Sequence, residues 1–431
     1  MWVRVASARE EDRRPDRRAC RLPCFGPQRK GDSTEAMKKE RLTLAFFIDA
    51  LGWRISREFR CFEELAPHAY RQRTILGYSC AAQPTILTGL PPSGHGHWAM
   101  FERSGRSELA PLVRFSVLPD TVGRHRRFRR RLLQWHRRRS GFTGYYNFYR
   151  IPFRLFREFD ISEKRDIYAP GGFDGAVESI FDILERRGVP YRVWNWKTDL
   201  DTALGELSEC LTGGAPVRFA LLYTAVMDAL LHEHVGDVDV VGAALEELEK
   251  KLSRVVELAR GAYSEVDVLI FSDHGMARTT AEIDLMAAVD SLGLAPKRDY
   301  LAFYDSTMGR FWFESERVRE EITKKLRAIE CGRVLTDDDL RREGVWFDDR
   351  RYGELVFLMN PGTLVVPSYM GASAPRGMHG FTPEHEDSDA AIMSSKPLEP
   401  EPSTIADTFG AMVRSAGLEG AARGRPGGAD G

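Results

Sequence analysis

Largely apolar runs alternate with amphipathic segments along most of this chain. Four of the runs stop abruptly at polar residues, and they span 42–48, 191–196, 218–226 and 266–271. Runs that are apolar on both faces are typical of parallel strands, because helices cover both sides of a parallel sheet. The pattern therefore predicts an α/β fold with a doubly wound, mostly parallel sheet flanked by helices.

The helices of this fold are predicted between the strands. Residues 174–187 carry an apolar stripe that ends at Gly188, a residue type common just after helices. Residues 241–260 place leucine and valine at helical spacing between charged residues. Residues 103–165 and 297–355 interrupt the alternation of strands and helices, and we expect both to form cap insertions.

Composition divides the chain into three parts. Residues 1–36 are polar, rich in arginine and without hydrophobic periodicity, so we expect a disordered basic extension, with Met37 as an alternative start of translation. Residues 37–419 are expected to fold as one domain that includes both cap insertions. The glycine-rich segment 420–431 is expected to be a disordered tail.

The overall charge conceals an uneven distribution. The 431 residues hold 62 Lys and Arg against 63 Asp and Glu, and this balance argues against a globally basic nucleic-acid-binding protein. Residues 103–157 nevertheless hold fifteen arginines against two acidic residues, and residues 1–40 hold eleven basic against seven acidic ones. The remainder is therefore strongly acidic, and a basic cap over an acidic core would attract an anionic ligand.

Cysteine usage and hydropathy bear on the compartment. The six cysteines are scattered, which does not resemble a disulfide framework, and no apolar run approaches the roughly 20 residues that span a bilayer. We expect a cytoplasmic protein, with peripheral attachment to a membrane as a further expectation.

Six residues that commonly bind metal ions follow the predicted strands or lie in glycine-rich turns. They are Asp49, Asp228, His232, Asp273, His274 and His379. Taken singly, each is more often a helix cap, a loop residue or a turn residue. Their shared placement at strand ends favours a metal site, since open α/β sheets place their chemistry there. Mixed carboxylate and imidazole ligands suit zinc or manganese rather than calcium.

A candidate nucleophile lies in the segment 77–98, whose sequence is GYSCAAQPTILTGLPPSGHGHW. Ser79 stands there before a helix-compatible stretch, where a metal ion could activate its hydroxyl and the helix N-terminus could receive an anion. An ordinary helix-capping serine is the simpler interpretation of Ser79 taken alone.

In order along the chain, these residues resemble the alkaline phosphatase superfamily, most closely its type I phosphodiesterase/nucleotide pyrophosphatase branch. Ser79 precedes Thr88 of ILTG by the family's spacing, and GLPPSGHG is similar to the family's GLxPxxHG. The resemblance implies two divalent metal ions, zinc with manganese as an alternative. The implied ligands are Asp49, Ser79, Asp273 and His274 for one ion, and Asp228, His232 and His379 for the other.

The sequence also departs from the family pattern. Met100 stands where the family's phosphodiesterases carry a phosphate-binding asparagine, and His97 and Trp98 are candidates to replace it. Ser79 stands where nucleotide pyrophosphatases usually have threonine. Cys80 is not followed by the sulfatase signature, so we expect it to be a packed residue and not a second nucleophile.

The resemblance implies hydrolysis of an anionic phosphate ester, with phosphodiesterase or pyrophosphatase chemistry through a metal-activated Ser79 and a phosphoseryl intermediate. Two alternatives stay open at this point. The same scaffold could serve a phosphomonoesterase or a phosphonate hydrolase. The chain could also be a non-catalytic, metal-stabilised protein that binds a membrane surface or a partner.

Residues 124–139 hold nine arginines interleaved with leucine and tryptophan, and an aromatic-rich stretch follows them. A solvated basic helix beside an aromatic cap core is one interpretation of this segment. A surface that binds anionic membranes is another, because arginine with tryptophan suits a membrane interface. Nucleic-acid binding is the least favoured, since the aromatic residues resemble core positions.

Overall fold

The computed structural model describes residues 38–213 and 216–419. The extension expected at 1–36 and the tail expected at 420–431 lie outside this part of the chain. The strands are β1 Lys39–Ile48, β2 His68–Gln72, β3 Phe101–Arg103, β4 Phe159–Ile161, β5 Tyr191–Trp194, β6 Phe219–Thr224, β7 Tyr263–Phe271, β8 Ala277–Arg278, β9 Ala281–Ile283, β10 Tyr300–Tyr304, β11 Met308–Phe313, β12 Gly332–Leu335, β13 Leu355–Met359, β14 Thr363–Val365, β15 Gly377–Met378 and β16 Ala390–Ser394.

The described residues form thirteen α-helices. They are α1 Trp53–Glu58, α2 Ser79–Thr88, α3 Pro92–His95, α4 Asp120–Gly123, α5 Arg126–Ser140, α6 Ile180–Arg186, α7 Leu200–Thr212, α8 Val226–His234, α9 Val238–Ala262, α10 Leu285–Asp290, α11 Glu316–Arg327, α12 Asp337–Arg342 and α13 Asp407–Ser415. Short 3₁₀ helices span Ala110–Val117, Phe153–Leu155 and Glu386–Ser388.

The central sheet confirms the predicted α/β fold. Its six strands lie in the order β2-β16-β7-β1-β6-β5, and β7, β1, β6 and β5 run parallel. These four are the strands predicted from the apolar runs. The structure adds β16, antiparallel to β7, and β2, antiparallel to β16, which the sequence pattern had not indicated.

The register of the three middle strands brings their C-terminal ends level. Ile48 at the end of β1 pairs with Thr224 of β6, and Phe47 pairs with Phe271 of β7. Polar residues that follow these strands must therefore emerge side by side at one edge of the sheet.

Helices cover both faces of the sheet, as parallel strands require. On one side α7 and α9 pack their apolar residues against β1, β6 and β7. On the other side α2, α6 and α13 contribute to a second buried cluster. Helix α9 matches the prediction for 241–260. Helix α6 begins at Ile180 and not at 174, because Ser179 caps it in a reciprocal pair of hydrogen bonds with Asp182.

The two cap segments fold against the sheet domain and against each other. The segment 297–355 contains β10, β11 and β12, which join β13 in a four-stranded antiparallel sheet, together with α11 and α12. The segment 103–165 contains α4, α5 and two 3₁₀ helices, and most of its aromatic side chains are buried in one cluster with Phe303 and Trp312. Within the described residues, no helix combines the length and apolarity needed to cross a membrane.

Arg310 links the two caps from a completely buried position. Its side chain pairs with Asp305 at 3.0 Å and donates to the carbonyl oxygen of Phe101 in β3 at 2.9 Å. A buried arginine is stabilising only with these partners in place, since each unpaired buried charge is costly.

We therefore predict that Arg310→Ala lowers the free energy of unfolding by about 3–5 kcal/mol, because it leaves Asp305 buried without its cation. Arg317→Ala, in an exposed position on α11, serves as the control and should change it by less than about 0.5 kcal/mol. Urea denaturation monitored by circular dichroism measures both, and equal losses in the two variants would contradict the role assigned to Arg310.

Candidate active site

Three loops at the C-terminal edge of the sheet bring the predicted ligands together. Two groups form, each with ligand atoms within 4.8 Å of one another, and they are Asp49, Asp273 and His274, and Asp228, His232 and His379. Within the described residues these are the two groups of three or more such side chains that could hold an ion. The grouping is the one that the resemblance implied.

In the first group the ligand atoms converge on the Nε2 atom of His274. That atom lies 3.4 Å from Oδ1 of Asp49, 3.3 Å from Oδ2 of Asp273 and 2.9 Å from the hydroxyl oxygen of Ser79. All three ligand side chains are buried, whereas Ser79 is partly exposed. Ser79 is thus the member of this group that a substrate could reach.

In the second group, helix α8 carries two of the ligands. Asp228 and His232 are one turn apart, so both side chains lie on the same face of the helix. Oδ1 of Asp228 lies 3.3 Å from Nε2 of His232 and 3.6 Å from Nε2 of His379, which comes from the segment after β15. The rings of His274 and His379 stack at 3.7 Å, so the two groups are in direct contact.

Backbone carbonyl groups fix the tautomers of two of the histidines. Nδ1 of His274 bonds to the carbonyl oxygen of Gly275 at 2.9 Å, and Nδ1 of His232 bonds to that of Gly377 at 2.8 Å. A carbonyl oxygen can only accept, so each Nδ1 must carry the proton. Each Nε2 then points a lone pair into the site whenever the ring is neutral, as metal binding requires.

Unsatisfied buried atoms show that these groups fit metal ions. Oδ1 of Asp49, Oδ2 of Asp273, Oδ1 of Asp228 and Nδ1 of His379 are buried without a hydrogen-bond partner. Buried polar atoms are almost always paired, so four orphans in one place are unusual. Divalent cations would satisfy the three carboxylate oxygens and suit the mixed oxygen and nitrogen donors.

The pKa shifts of the three carboxylates also reflect the cost of burying them without cations. Burial, followed by repulsion from Asp273, raises the pKa of Asp49, and burial raises the pKa of Asp273 to about 7. Burial also opposes ionisation of Asp228, yet His232 and His379 outweigh it and lower the pKa of that carboxyl. Burial opposes protonation of His232, but Asp228 prevails and raises the pKa of His232 to about 9. The carboxylates of the first group thus have no partner that outweighs burial as His232 does for Asp228.

Ser79 occupies the first residue of α2, directly after Tyr78 at the N-cap. A helix N-terminus directs backbone N–H groups and a partial positive charge toward this position. Gly89 ends α2 with φ of 68°, so the TG turn of the sequence motif is the C-cap of this helix. The adjacent Cys80 is no competitor, because burial raises the pKa of its thiol to about 12.

Comparison with known proteins decides the family. The family model for type I phosphodiesterase / nucleotide pyrophosphatase matches residues 76–382, well over half of the chain. The chain belongs to this family. Membership in the type I phosphodiesterase family confirms the predicted superfamily and supports a phosphoric ester hydrolase, and the family uses divalent metals.

Named relatives extend the comparison. Human ectonucleotide pyrophosphatase/phosphodiesterase family member 5 is 24% identical over 102 residues, which make up 23% of this chain and 21% of that protein. The alignment therefore spans about a fifth of the relative's length.

Solved structures of the same relative share the fold. Murine ectonucleotide pyrophosphatase / phosphodiesterase 5 superposes with a TM-score of 0.61 at 14% identity, covering 88% of this chain and 95% of that one. The human protein gives 0.62 at 15% identity with the same coverage. An inactive threonine-to-alanine variant of the murine protein, in complex with AMP, gives 0.60 at 15% identity.

Three residues that support Asp49 were missed at the sequence level. Tyr223 donates its hydroxyl hydrogen bond to Oδ2 of Asp49, and the amide of Gln83 lies 3.4 Å from the same oxygen. Tyr168, which follows the first cap and packs in the same buried cluster as Tyr223, donates to Gln83 at 3.1 Å. These contacts occupy Oδ2 and leave Oδ1 for an ion. Tyr223 belongs to an apolar strand pattern and Tyr168 to an irregular segment between two predicted elements, so neither carried a local signal.

The residues near Met100 are placed differently from the expectation. Met100 packs at the edge of the cap cluster, and its sulfur faces the backbone N–H of Asn147. Trp98 cannot replace the family's asparagine, because it is buried and its one donor, Nε1, is used by the carbonyl oxygen of Leu76 at 2.7 Å. His97 stacks on the ring of His95 and meets the ring of Phe173 edge to face. None of these three residues belongs to the two ligand groups.

We predict that Tyr223→Phe weakens metal binding by roughly 10- to 100-fold, because Asp49 loses a hydrogen bond that orients it. Isothermal titration calorimetry measures the affinity, with zinc or manganese added to protein whose metal has been removed by a chelator. Tyr263→Phe is the matched control, since Tyr263 is equally buried but lies at the opposite end of the sheet. An unchanged affinity in Tyr223→Phe would contradict the positioning role.

Proposed function

We propose that this protein hydrolyses phosphate diesters or pyrophosphates with Ser79 as the nucleophile. The observation that carries the proposal is the approach of the Ser79 hydroxyl to within 2.9 Å of Nε2 of His274, at the point where Asp49 and Asp273 also converge. A structural capping serine would face its own helix and would need no buried carboxylates around it.

Two divalent ions, zinc or manganese, are the proposed cofactors. Asp49, Asp273, His274 and Ser79 would hold one of them, and the helix-borne pair Asp228 and His232 would hold the other with His379. Such ions, when bound, lower the pKa of a coordinated hydroxyl and neutralise charge on the phosphoryl oxygens.

The proposed reaction consists of two displacements at phosphorus. The Ser79 hydroxyl loses its proton as its oxygen bonds to phosphorus, the bond from phosphorus to the leaving oxygen breaks, and the leaving group departs with a proton. Water then attacks the phosphoseryl intermediate, releases the phosphate monoester and regenerates the serine hydroxyl. Two in-line displacements give net retention at phosphorus. The N-terminal N–H groups of α2 lie on the side where the negative phosphoryl oxygens develop charge.

A pair of tyrosines in the first cap is the proposed substitute for the family's asparagine. The hydroxyls of Tyr145 and Tyr149 hydrogen-bond to each other and lie within electrostatic range of Asp228. Burial, followed by Tyr145, raises the pKa of Tyr149 well above its usual value, so this hydroxyl stays protonated as a donor. Tyr149 also has φ of 38°, a strained conformation for a tyrosine that the surrounding cap must hold.

The substrate is proposed to be an anionic diester or pyrophosphate. AMP is bound by the inactive murine relative, and this favours a nucleotide as one substituent. Arg137 lies against the ring of Trp196, which itself contacts the exposed Tyr145 at 5.2 Å, whereas Lys197 on the same ring is paired with Asp166 at 2.6 Å. The charge of Arg137 close to this tyrosine suits a substrate that carries negative charge.

We predict that Ser79→Ala lowers turnover of bis(p-nitrophenyl) phosphate by several orders of magnitude. Metal content and the unfolding temperature should stay unchanged, because the two carboxylates and the imidazole of Asp49, Asp273 and His274 remain to hold the first ion. Ser79→Thr should retain measurable turnover, since it keeps a hydroxyl at the same position. Cys80→Ala is the control and should keep activity within about threefold, because its thiol is protonated.

A comparison of bis(p-nitrophenyl) phosphate with p-nitrophenyl phosphate distinguishes the proposal from the monoesterase alternative. The diester should show the higher kcat/KM with zinc and with manganese. Preference for the monoester, or full activity in Ser79→Ala, would overturn the proposal.

We also predict that Tyr149→Phe lowers kcat for the diester by roughly 10-fold or more, because a donor to the phosphoryl oxygens is lost. Metal content should stay unchanged, since no ligand is touched. Tyr146→Phe is the matched control, because the Tyr146 hydroxyl bonds to His136 inside the cap. Equal kcat values for the two variants would remove Tyr149 from the reaction.

A further inference from the structure

Helix α5 presents a continuous row of arginines on its solvent face. Arg127, Arg130, Arg131 and Arg138 all fall within one side of the helix and are exposed. A helix of 15 residues extends about 22 Å, so the row is long enough to contact several phosphate groups at once.

These four arginines have no acidic partner among the described ion pairs. On α11, by contrast, two arginines have acidic partners on the same helix, since Arg317 pairs with Glu321 and Arg319 with Glu316. The sequence contains no Asp or Glu from residue 121 to residue 157. The positive charge of these four arginines is therefore available to an external partner.

The opposite face of α5 is anchored firmly to the cap. Arg129 is buried and donates to the carbonyl oxygens of Gly123, Phe148 and Ile151 at 2.7–3.1 Å. Leu132 is buried in the aromatic cluster beside it. The helix is thus held in a fixed orientation, so its arginine row has a fixed position on the surface.

Exposed apolar side chains flank the row. Among the described residues seven large hydrophobic side chains are classed as exposed, and Val117, Val122 and Trp135 of this cap are three of them, with Val117 exposed by 85%. Arg114 lies over the Trp135 ring at 5.5 Å and adds a further cation next to it. Apolar and aromatic side chains beside arginines are the composition of a membrane interface.

We propose that α5 and its flanking residues dock the protein on the surface of an anionic lipid membrane. Lipid phosphates would contact the four arginines, and Trp135 and Val117 would enter the interfacial layer. The surface is less suited to nucleic acid, because five of the eight aromatic side chains from residue 142 to residue 159 are buried and only Tyr145 among them is exposed. Tyr146 is 1% exposed, and Phe148, Phe156 and Phe159 are completely buried.

The docking helix is also connected to the rim of the proposed active site. Arg137 near its C-terminal end donates to the carbonyl oxygen of Tyr146 at 2.9 Å and lies over the ring of Trp196. Docking through α5 would therefore hold this rim in a fixed relation to the membrane. The docking itself does not depend on the proposed hydrolysis.

Vesicle sedimentation with the full-length protein tests the proposal. The probes are vesicles of pure phosphatidylcholine and vesicles of phosphatidylcholine mixed with phosphatidylglycerol. The wild-type protein should bind the mixed vesicles, should not bind the neutral ones, and should dissociate at high salt, because phosphate–arginine attraction is screened. Equal binding to both vesicles, or no binding to either, would overturn the proposal.

Replacement of Arg127, Arg130, Arg131 and Arg138 by alanine should weaken binding to the mixed vesicles by roughly 600-fold, given about fivefold for each of the four cations near the surface. The matched control replaces Arg317, Arg319, Lys324 and Arg327 of α11 by alanine, which removes the same charge from a helix that also carries three glutamates. Binding reduced equally in both variants would overturn the assignment to α5. Circular dichroism verifies that each variant is folded.

A competition arm addresses the other polyanion. Single-stranded and duplex DNA are added to the protein on mixed vesicles at low salt. The proposal predicts that vesicles retain the protein at equal phosphate concentration. Transfer of the protein to DNA would identify nucleic acid as the preferred partner and would overturn the membrane assignment.

Discussion

Three carboxylates lie close together at one edge of the central sheet, those of Asp49 and Asp273 buried and that of Asp228 with its side chain 14% exposed. Taking such charges out of water is costly unless cations are placed beside them. His232 supplies a positive partner to Asp228, but the pair formed by Asp49 and Asp273 has none of comparable strength. The binding of divalent ions is the arrangement that relieves this cost, and the rest of the site is organised around it.

That arrangement depends on the register of β7, β1 and β6. Because these strands end level, the residues after them meet without long excursions of the loops. Carbonyl groups of Gly275 and Gly377 set the tautomers of His274 and His232, and Tyr223 donates a hydrogen bond to Oδ2 of Asp49. Helix α2 then delivers the Ser79 hydroxyl to the same point. Among the cap side chains, Tyr149 is the one proposed to reach the substrate, so substrate preference can vary with the cap while the ligand groups stay fixed.

Sequence patterns predicted the parts of the fold whose signal is local. The apolar runs of β1, β6 and β7 each end close to a polar residue, and the structure has Asp49, Asp228 and Asp273 at these strand ends as predicted. Strand β2, with the sequence HAYRQ, lies at the sheet edge and is half exposed, so no apolar run marked it. The support of Asp49 by Tyr223, and the use of the Trp98 donor by Leu76, depend on tertiary contacts that spacing along the chain does not encode.

Metal stoichiometry tests the central claim most directly. Elemental analysis of the purified protein, of Asp273→Asn and of Asp228→Asn should give two divalent ions per chain for the wild type and about one for each variant, since each substitution removes a ligand from a different group. Diester hydrolysis should require both ions. Fewer than one ion per chain in the wild-type protein, or full occupancy in both variants, would contradict the account.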